Sequence, residues 1–236
     1  MSGVVRLSTQ IHKWVSLVVG LQVIFWVVGG LVMVSIPIER VRSEHHIRQV
    51  VTPPLPLDVM PLAEVVARTG GAPTRAELRS TLRGPVWILN SGDQAPVTVS
   101  ALTGAPLAAM TAAEARAAAV RAYAGDGEPI GVRYLATPPQ ESGRDTPVWR
   151  VDFDDAERTA FYVSPVTAEV EARRSAVWRL FDFMWRLHIL DLENGEDFNH
   201  PLLIGVTGLT LALLVTGLIL LVVRLRRDLL RRRQGK

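Results

Sequence analysis

Histidine is the residue type in this chain with the most chemistry to offer. His45 and His46 are adjacent, just past a long apolar run; His188 closes an amphipathic stretch, and His200 stands immediately before Pro201 and a second apolar run. Neutral imidazole is a ligand of haem iron, and two imidazoles from neighbouring helices can clamp one haem for electron transfer. His188 and His200 are the better candidates for such a pair, with His45 and His46 the second choice. Each also has a plainer use. A histidine at a membrane interface caps a helix, and His200 beside Pro201 suits that role. His12 lies at the other end of the first apolar run and has no expected partner at its depth on the second.

Other chemistries are excluded by what the chain lacks. With no cysteine among 236 residues, disulfides, thiolate nucleophiles and thiolate metal sites are ruled out. The sequence holds no Gly-rich phosphate loop, no nucleophile elbow, no HExxH pattern and no other metal-ligand constellation. No spacing of Ser, His and Asp suggests a triad, so a peptidase is rejected and no catalytic residue is assigned. Asp154 and Asp155 fall in an expected hairpin turn, where solvated aspartates are common. If the chain takes part in a reaction at all, it is as an oxidoreductase component.

The elements that carry the histidines are readable. Trp178, Phe181, Trp185 and His188 recur about three or four apart, which places them on one face of a surface helix. A polar break follows, from Asp191 through Asn194 to Asp197; then Leu202–Val223 runs without a charge. At about 1.5 Å per residue this run spans a bilayer core of about 30 Å. Trp14–Ile36 is a second uncharged run with Gln22 as its one strongly polar residue. It is longer than the ~7–15 apolar residues of a cleaved leader and lacks a small-x-small site, so it is expected to remain as a signal anchor. Trp14 suits an interfacial belt; Trp26 lies too deep for one.

The net charge of +3 divides unevenly: Arg224, Arg226, Arg227, Arg231, Arg232, Arg233 and Lys236 against Asp228 give the tail +6, leaving −3 elsewhere. Such a tail beside a span is a stop and orientation signal that meets anionic headgroups, and nucleic acid is not an expected partner. With Arg6 and Lys13 before the first span, both termini are expected in the cytoplasm and the region from Glu39 to His200 in a periplasm, opposed only mildly by Arg40, Arg42 and Arg48. Arg173, Arg174, Arg179 and Arg186, near Trp178 and Trp185, are expected to hold the surface helix on the bilayer. Gly208, Ala212 and Thr216 form a small-residue stripe on the second span, and Ser16 and Gly20 begin one on the first. Close helix approach follows, between the two spans or with a membrane-protein partner or second copy.

Between the spans the sequence repeats itself. After the Pro-rich segment Val51–Leu57, Pro61–Arg68 reads as a helix stopped by Gly70 and Gly71, and Pro85–Asn90 and Val97–Gly104 read as strands. The second copy opens with a capping box, Thr111 to Glu114, and an Ala-rich helix to Tyr123. Strands are expected at Ile130–Leu135, Pro147–Phe153 and Phe161–Ala168, with Ser164 and Thr167 standing where Ser100 and Thr103 stand. Trp149, Val151 and Phe153 alternate with Arg150 and Asp152, as in a sheet covered on one face.

Trp149–Phe153 (WRVDF), then Asp154 and Asp155, then Thr159–Pro165 and Val166–Val170 (VTAEV) resemble a PepSY domain. Ala168 replaces the glycine usual in its last turn; the first copy keeps Thr103-Gly104. The flanking apolar helices, Trp185–His188 (WRLH) and Leu214–Gly217 (LVTG) resemble the PepSY-associated transmembrane proteins, over most of the chain. The resemblance implies an α+β fold in which two transmembrane helices flank a tandem helix-plus-antiparallel-sheet domain outside the cytoplasm. The expected division is a cytoplasmic N-terminus (1–13), transmembrane helix (14–38), Pro-rich linker (39–60), repeats at 61–110 and 111–174, interfacial helix and turn (175–200), transmembrane helix (201–223) and basic cytoplasmic tail (224–236). It implies an accessory or interaction subunit of a bacterial inner-membrane complex, a peptidase being one partner. The alternative, by similarity to larger PepSY membrane proteins, is a haem-binding electron-transfer component of a ferric-siderophore or metal reductase.

Overall fold

A computed structural model describes residues 3–92, 96–193 and 195–234; Asn194 and Lys236, named above, lie outside them. The chain forms two compact units, Met1–Pro37 with Leu180–Lys236, and Ile38–Arg179.

The first unit holds two helices long and apolar enough to cross a membrane, α1 (Gly3–Ser35) and α6 (Pro201–Gln234). In hydrocarbon every backbone group must bond within the chain, which a helix accomplishes by itself. The two pack against each other. Val5, Ser8, Val19 and Gly29 make the buried stripe of α1, while Leu17, Val18, Leu31 and Val34 are left facing outward. That outward apolar coat suits lipid.

The unit explains two oddities of the first apolar run. Gln22 Nε2 donates to the Leu187 carbonyl at 3.2 Å and Trp26 Nε1 to the His188 carbonyl at 2.7 Å. These carbonyls belong to the last turn of α5 (Ala176–Ile189), where backbone acceptors have no partner within the helix. Gln22 and Trp26 therefore act as a remote C-cap. The end of α5 lies beside the middle of the apolar run of α1, deeper than a helix resting on the interface. Asp191 then accepts from the backbone N–H groups of Glu193, Glu196 and Asp197, closing the turn before α6.

In the second unit, α2 (Ile38–Val41) and a 3₁₀ turn (Glu44–His46) precede the two repeats. The first repeat is α3 (Leu62–Thr69) with the antiparallel sheet β1 (Arg75–Thr81), β2 (Gly84–Asn90) and β3 (Val97–Ser100). The second is α4 (Ala112–Ala122) with β4 (Pro129–Leu135), β5 (Val148–Phe153), β6 (Ala160–Val163) and β7 (Val170–Arg174), in that order across an antiparallel sheet. The repeats thus make two sheets. The capping box at Thr111 and Glu114 is formed.

The sequence correspondence is kept in register: Trp87 pairs with Val99 across β2 and β3, and Trp149 with Val163 across β5 and β6. Two expected strands are shorter than read. Residues 101–104 and 164–168 are turns, in which the Ser100 and Ser164 hydroxyls accept backbone N–H bonds. Local side-chain acceptors of this kind compete with the ladder and end the strand. The repeats are tied by Arg83, which donates to the carbonyls of Pro165 and Ala108, both at 2.7 Å, and by Arg79 on Glu169 at 2.9 Å.

Candidate functional site

The 3₁₀ turn is held where sequence alone would not place it. Ser43 enters it with φ +54°, and residues 46–48 then lie along the end of α4: Ala124 N–H donates to the His46 carbonyl and Arg48 N–H to that of Ala122. The His46 ring stacks on Tyr123, whose ring stacks on Phe153. His45 Nε2 stands 3.5 Å and His46 Nε2 3.3 Å from one oxygen, Oε2, of Glu157. Arg40 lies 3.4 Å from the other oxygen, Oε1.

Asp155 completes the group. Its carboxylate accepts from the Tyr123 hydroxyl at 2.7 Å and the Thr159 N–H at 2.8 Å. Burial would raise both carboxyls, but it is outweighed. Bonds from Thr159 and Tyr123 hold Asp155 below the usual carboxylate range, and those from His46 and Arg40 do the same for Glu157. Tyr123 is pushed well above the ordinary phenol range by burial and by its bond to Asp155. The expectation of two solvated aspartates is corrected: Asp154 is exposed, but the Asp155 side chain is only 8% exposed and organises the β5–β6 turn.

The other histidines divide differently. His188 sits between Trp185 (rings 6.4 Å apart, nearly parallel) and Trp26 (6.1 Å). Its Nδ1 is buried and makes no hydrogen bond among the described residues. His200 Nδ1 accepts from the Leu202 N–H at 3.3 Å, so this ring caps the start of α6. His12 does have a partner on the second span, against expectation. Its Nδ1 lies 3.2 Å from the Leu213 carbonyl and 3.3 Å from the Thr216 hydroxyl, and Gly217 leaves room for the ring. Thr216 of the small-residue stripe is thus buried, Ala212 half-buried and Gly208 exposed. His45 and His46 belong to one unit and His188 and His200 to the other.

A second, half-buried network lies on the opposite part of the β4–β7 sheet. Glu141 accepts from the Tyr162 hydroxyl and pairs with Arg150 at 2.8 Å and Arg179 at 3.2 Å. The four arginines expected to lie on lipid headgroups have protein partners instead: Arg179 on Glu141, Arg186 on Asp182, Arg174 over the Trp178 ring and Arg173 on the Arg42 carbonyl. Between the repeats, an apolar cleft of about 590 Å³ is lined by Leu107, Met110, Tyr134, Trp149 and Val166. The Trp149 indole N–H is buried without a hydrogen bond among the described residues.

The family model described as PepSY-associated TM region matches residues 9–236. The chain belongs to this family. It is a membrane protein of α+β class, with an apolar helix at each end of a region of two antiparallel sheets and their helices. No curated protein and no solved structure matches the PepSY-associated chain. Reasoning from sequence missed Glu157, Tyr123 and Glu141 as site residues. Glu157 stands 111 residues from His46 and no local spacing announces it; Tyr123, as the aromatic end of an Ala-rich helix, was the one available signal.

Proposed function

We propose that this protein is a membrane-anchored accessory or interaction subunit of a complex in the bacterial inner membrane, with both termini cytoplasmic and the repeats in the periplasm. The observation that carries the reading is the cleft between the repeats. It is apolar, it borders the edge strand β4, and Tyr134 on that strand is 51% exposed. An exposed strand edge beside apolar side chains can take an extended segment of a partner. The spans add a second contact through Gly208, left exposed on α6, with Ala212 beside it. The test is affinity purification from cross-linked native membranes. Tyr134→Ala should lose the co-purifying membrane protein and His188→Ala should keep it; the reverse would sink the reading. A cytoplasm-dependent fluorescent reporter fused after Arg231 should glow if the tail is inside.

A second reading rests on His188, whose buried and unpartnered Nδ1 between two tryptophans is the observation that favours a haem-dependent electron carrier. The chain offers such a haem one imidazole from His188. His200 is engaged as a cap, and His12, on α1 and facing α6, stands about 21 Å from Trp26 by helical rise, so within this helical unit a second ligand would come from another subunit. An absorption spectrum of protein from haem-replete cells, before and after dithionite, decides: split α and β bands on reduction support it, and a flat visible spectrum of the purified complex removes it.

A further inference from the structure

The cluster at the 3₁₀ turn has an arrangement that neither reading above uses. Two imidazole Nε2 atoms and one carboxylate oxygen, from His45, His46 and Glu157, converge with all three atoms within 4.8 Å of one another. We propose that they bind a divalent transition-metal ion of the zinc class, with its fourth position open to solvent.

Three observations carry this. The first is size. Metal–nitrogen and metal–oxygen bonds of about 2.0–2.1 Å in a tetrahedron put neighbouring ligand atoms about 3.3 Å apart. The two Nε2-to-Oε2 separations are 3.3 and 3.5 Å. For direct N–H···O bonds both are long, the usual range being about 2.7–3.2 Å. On these two nitrogen-to-oxygen edges the ligand set needs little movement to close on an ion.

The second is the outer shell. A histidine that binds metal through Nε2 carries its proton on Nδ1, and that N–H normally faces a carboxylate or carbonyl. His46 Nδ1 is buried, makes no hydrogen bond among the described residues, and stands 3.9 Å from Asp155 Oδ2. Asp155 is itself fixed by Tyr123 and Thr159. Were His46 to donate from Nε2 instead, the lone pair of Nδ1 would face a carboxylate with nothing between. A proton on Nδ1, which metal ligation at Nε2 requires, turns this buried atom into a donor facing Asp155.

The third is access and rigidity. His45 is 43% exposed, so an ion and a water can reach the site. Arg40 occupies Oε1 of Glu157 and leaves Oε2 to the ion, although its positive charge opposes a cation and limits affinity. Gly125 fits behind the ring: a Cβ there would collide with the Tyr123 side chain and come within 3.0 Å of His46 Nδ1. Two imidazoles and a carboxylate suit zinc, and also copper, better than magnesium or calcium.

The test uses the full chain in mild detergent, stripped with chelator and titrated with Co²⁺ as a spectroscopic probe. The expected result is one Co²⁺ per chain with the strong visible bands of tetrahedral coordination, bleached by Zn²⁺. His45→Ala and Glu157→Gln should each weaken binding at least about 10-fold. Zn²⁺ should raise the unfolding midpoint of the parent chain and leave that of His45→Ala unmoved. No stoichiometric binding overturns the proposal, as does binding that survives both substitutions and falls with His188→Ala or His200→Ala. Should Glu157→Gln misfold by circular dichroism, the exposed His45 decides alone.

Discussion

The two repeats are built on one local plan and filled very differently. In both, a serine hydroxyl at the end of the strand accepts two backbone N–H groups, a threonine hydroxyl accepts a third, and the next residue takes a left-handed conformation, Gly104 with φ +68° and Ala168 with φ +61°. The fillings diverge. The first repeat closes over Met60, Val65, Leu89 and Val99; the second over a cluster that includes Tyr123, Val151, Phe153, Phe161 and Val163, with α4 across it. Turn chemistry is set by a few side chains and core size by many, so two repeats can share the one and differ in the other. The second repeat, with more apolar area removed from water, is where stability of this unit should reside.

The sharpest way to break that contrast is to truncate one core residue on each side. Phe161 is fully buried, as is Val99. Phe161→Ala should destabilise the unit by about 3–5 kcal/mol and Val99→Ala by about 1–3 kcal/mol. Denaturant unfolding followed by Trp fluorescence measures both. Equal losses would mean that the two cores are energetically one.

The half-buried network of Glu141, Tyr162, Arg150 and Arg179 has no counterpart among the described residues of the first repeat, and it gives the second a pH dependence. Burial alone would raise the Glu141 carboxyl, but the Tyr162 hydroxyl and the charges of Arg179 and Arg150 hold it below the usual carboxylate range. A carboxyl lowered in the folded state contributes stability that is fully present above its unfolded value, near 4.5, and lost as pH falls through the folded one. Glu141→Gln should therefore destabilise by about 1–3 kcal/mol at neutral pH and less at pH 3. Unfolding midpoints at the two pH values check it; a constant difference would show that the carboxylate's charge contributes nothing.

What was legible in sequence follows from how far apart the responsible residues lie. The two spans, the capping box at Thr111 and the correspondence of Trp87 in one repeat to Trp149 in the other were readable because each is a local pattern. β1, with Arg75, Glu77 and Arg79 on its exposed face, was not read as a strand, since only its pairing with β2 reveals it. Gln22 and Trp26 stood out as anomalies in an apolar run, yet their use as caps for α5 depends on residues more than 160 positions away. The Glu157 cluster was invisible for the same reason. Histidines could be listed from sequence, but their partners are supplied by tertiary structure.

The smallest effect, and the finest probe of the comparison, is an exchange at the shared left-handed position. A Cβ at Gly104 would meet Met60 Sδ at 2.8 Å and Arg68 Cδ at 3.0 Å, besides the strain of about 1–2 kcal/mol that a left-handed alanine carries. Gly104→Ala should therefore lower stability by about 1–2 kcal/mol, more if Met60 cannot shift. Ala168 already bears that strain, but its methyl group is buried in the larger core of the second repeat. Ala168→Gly relieves the strain, loses about 0.8 kcal/mol of methyl burial and frees the unfolded chain by about 0.4–1 kcal/mol, so its net effect should stay within about 1 kcal/mol of zero. If Ala168→Gly instead stabilised the unit by as much as Gly104→Ala destabilised it, the backbone alone would govern both turns. The larger core would then have no part in tolerating alanine where the first repeat keeps glycine.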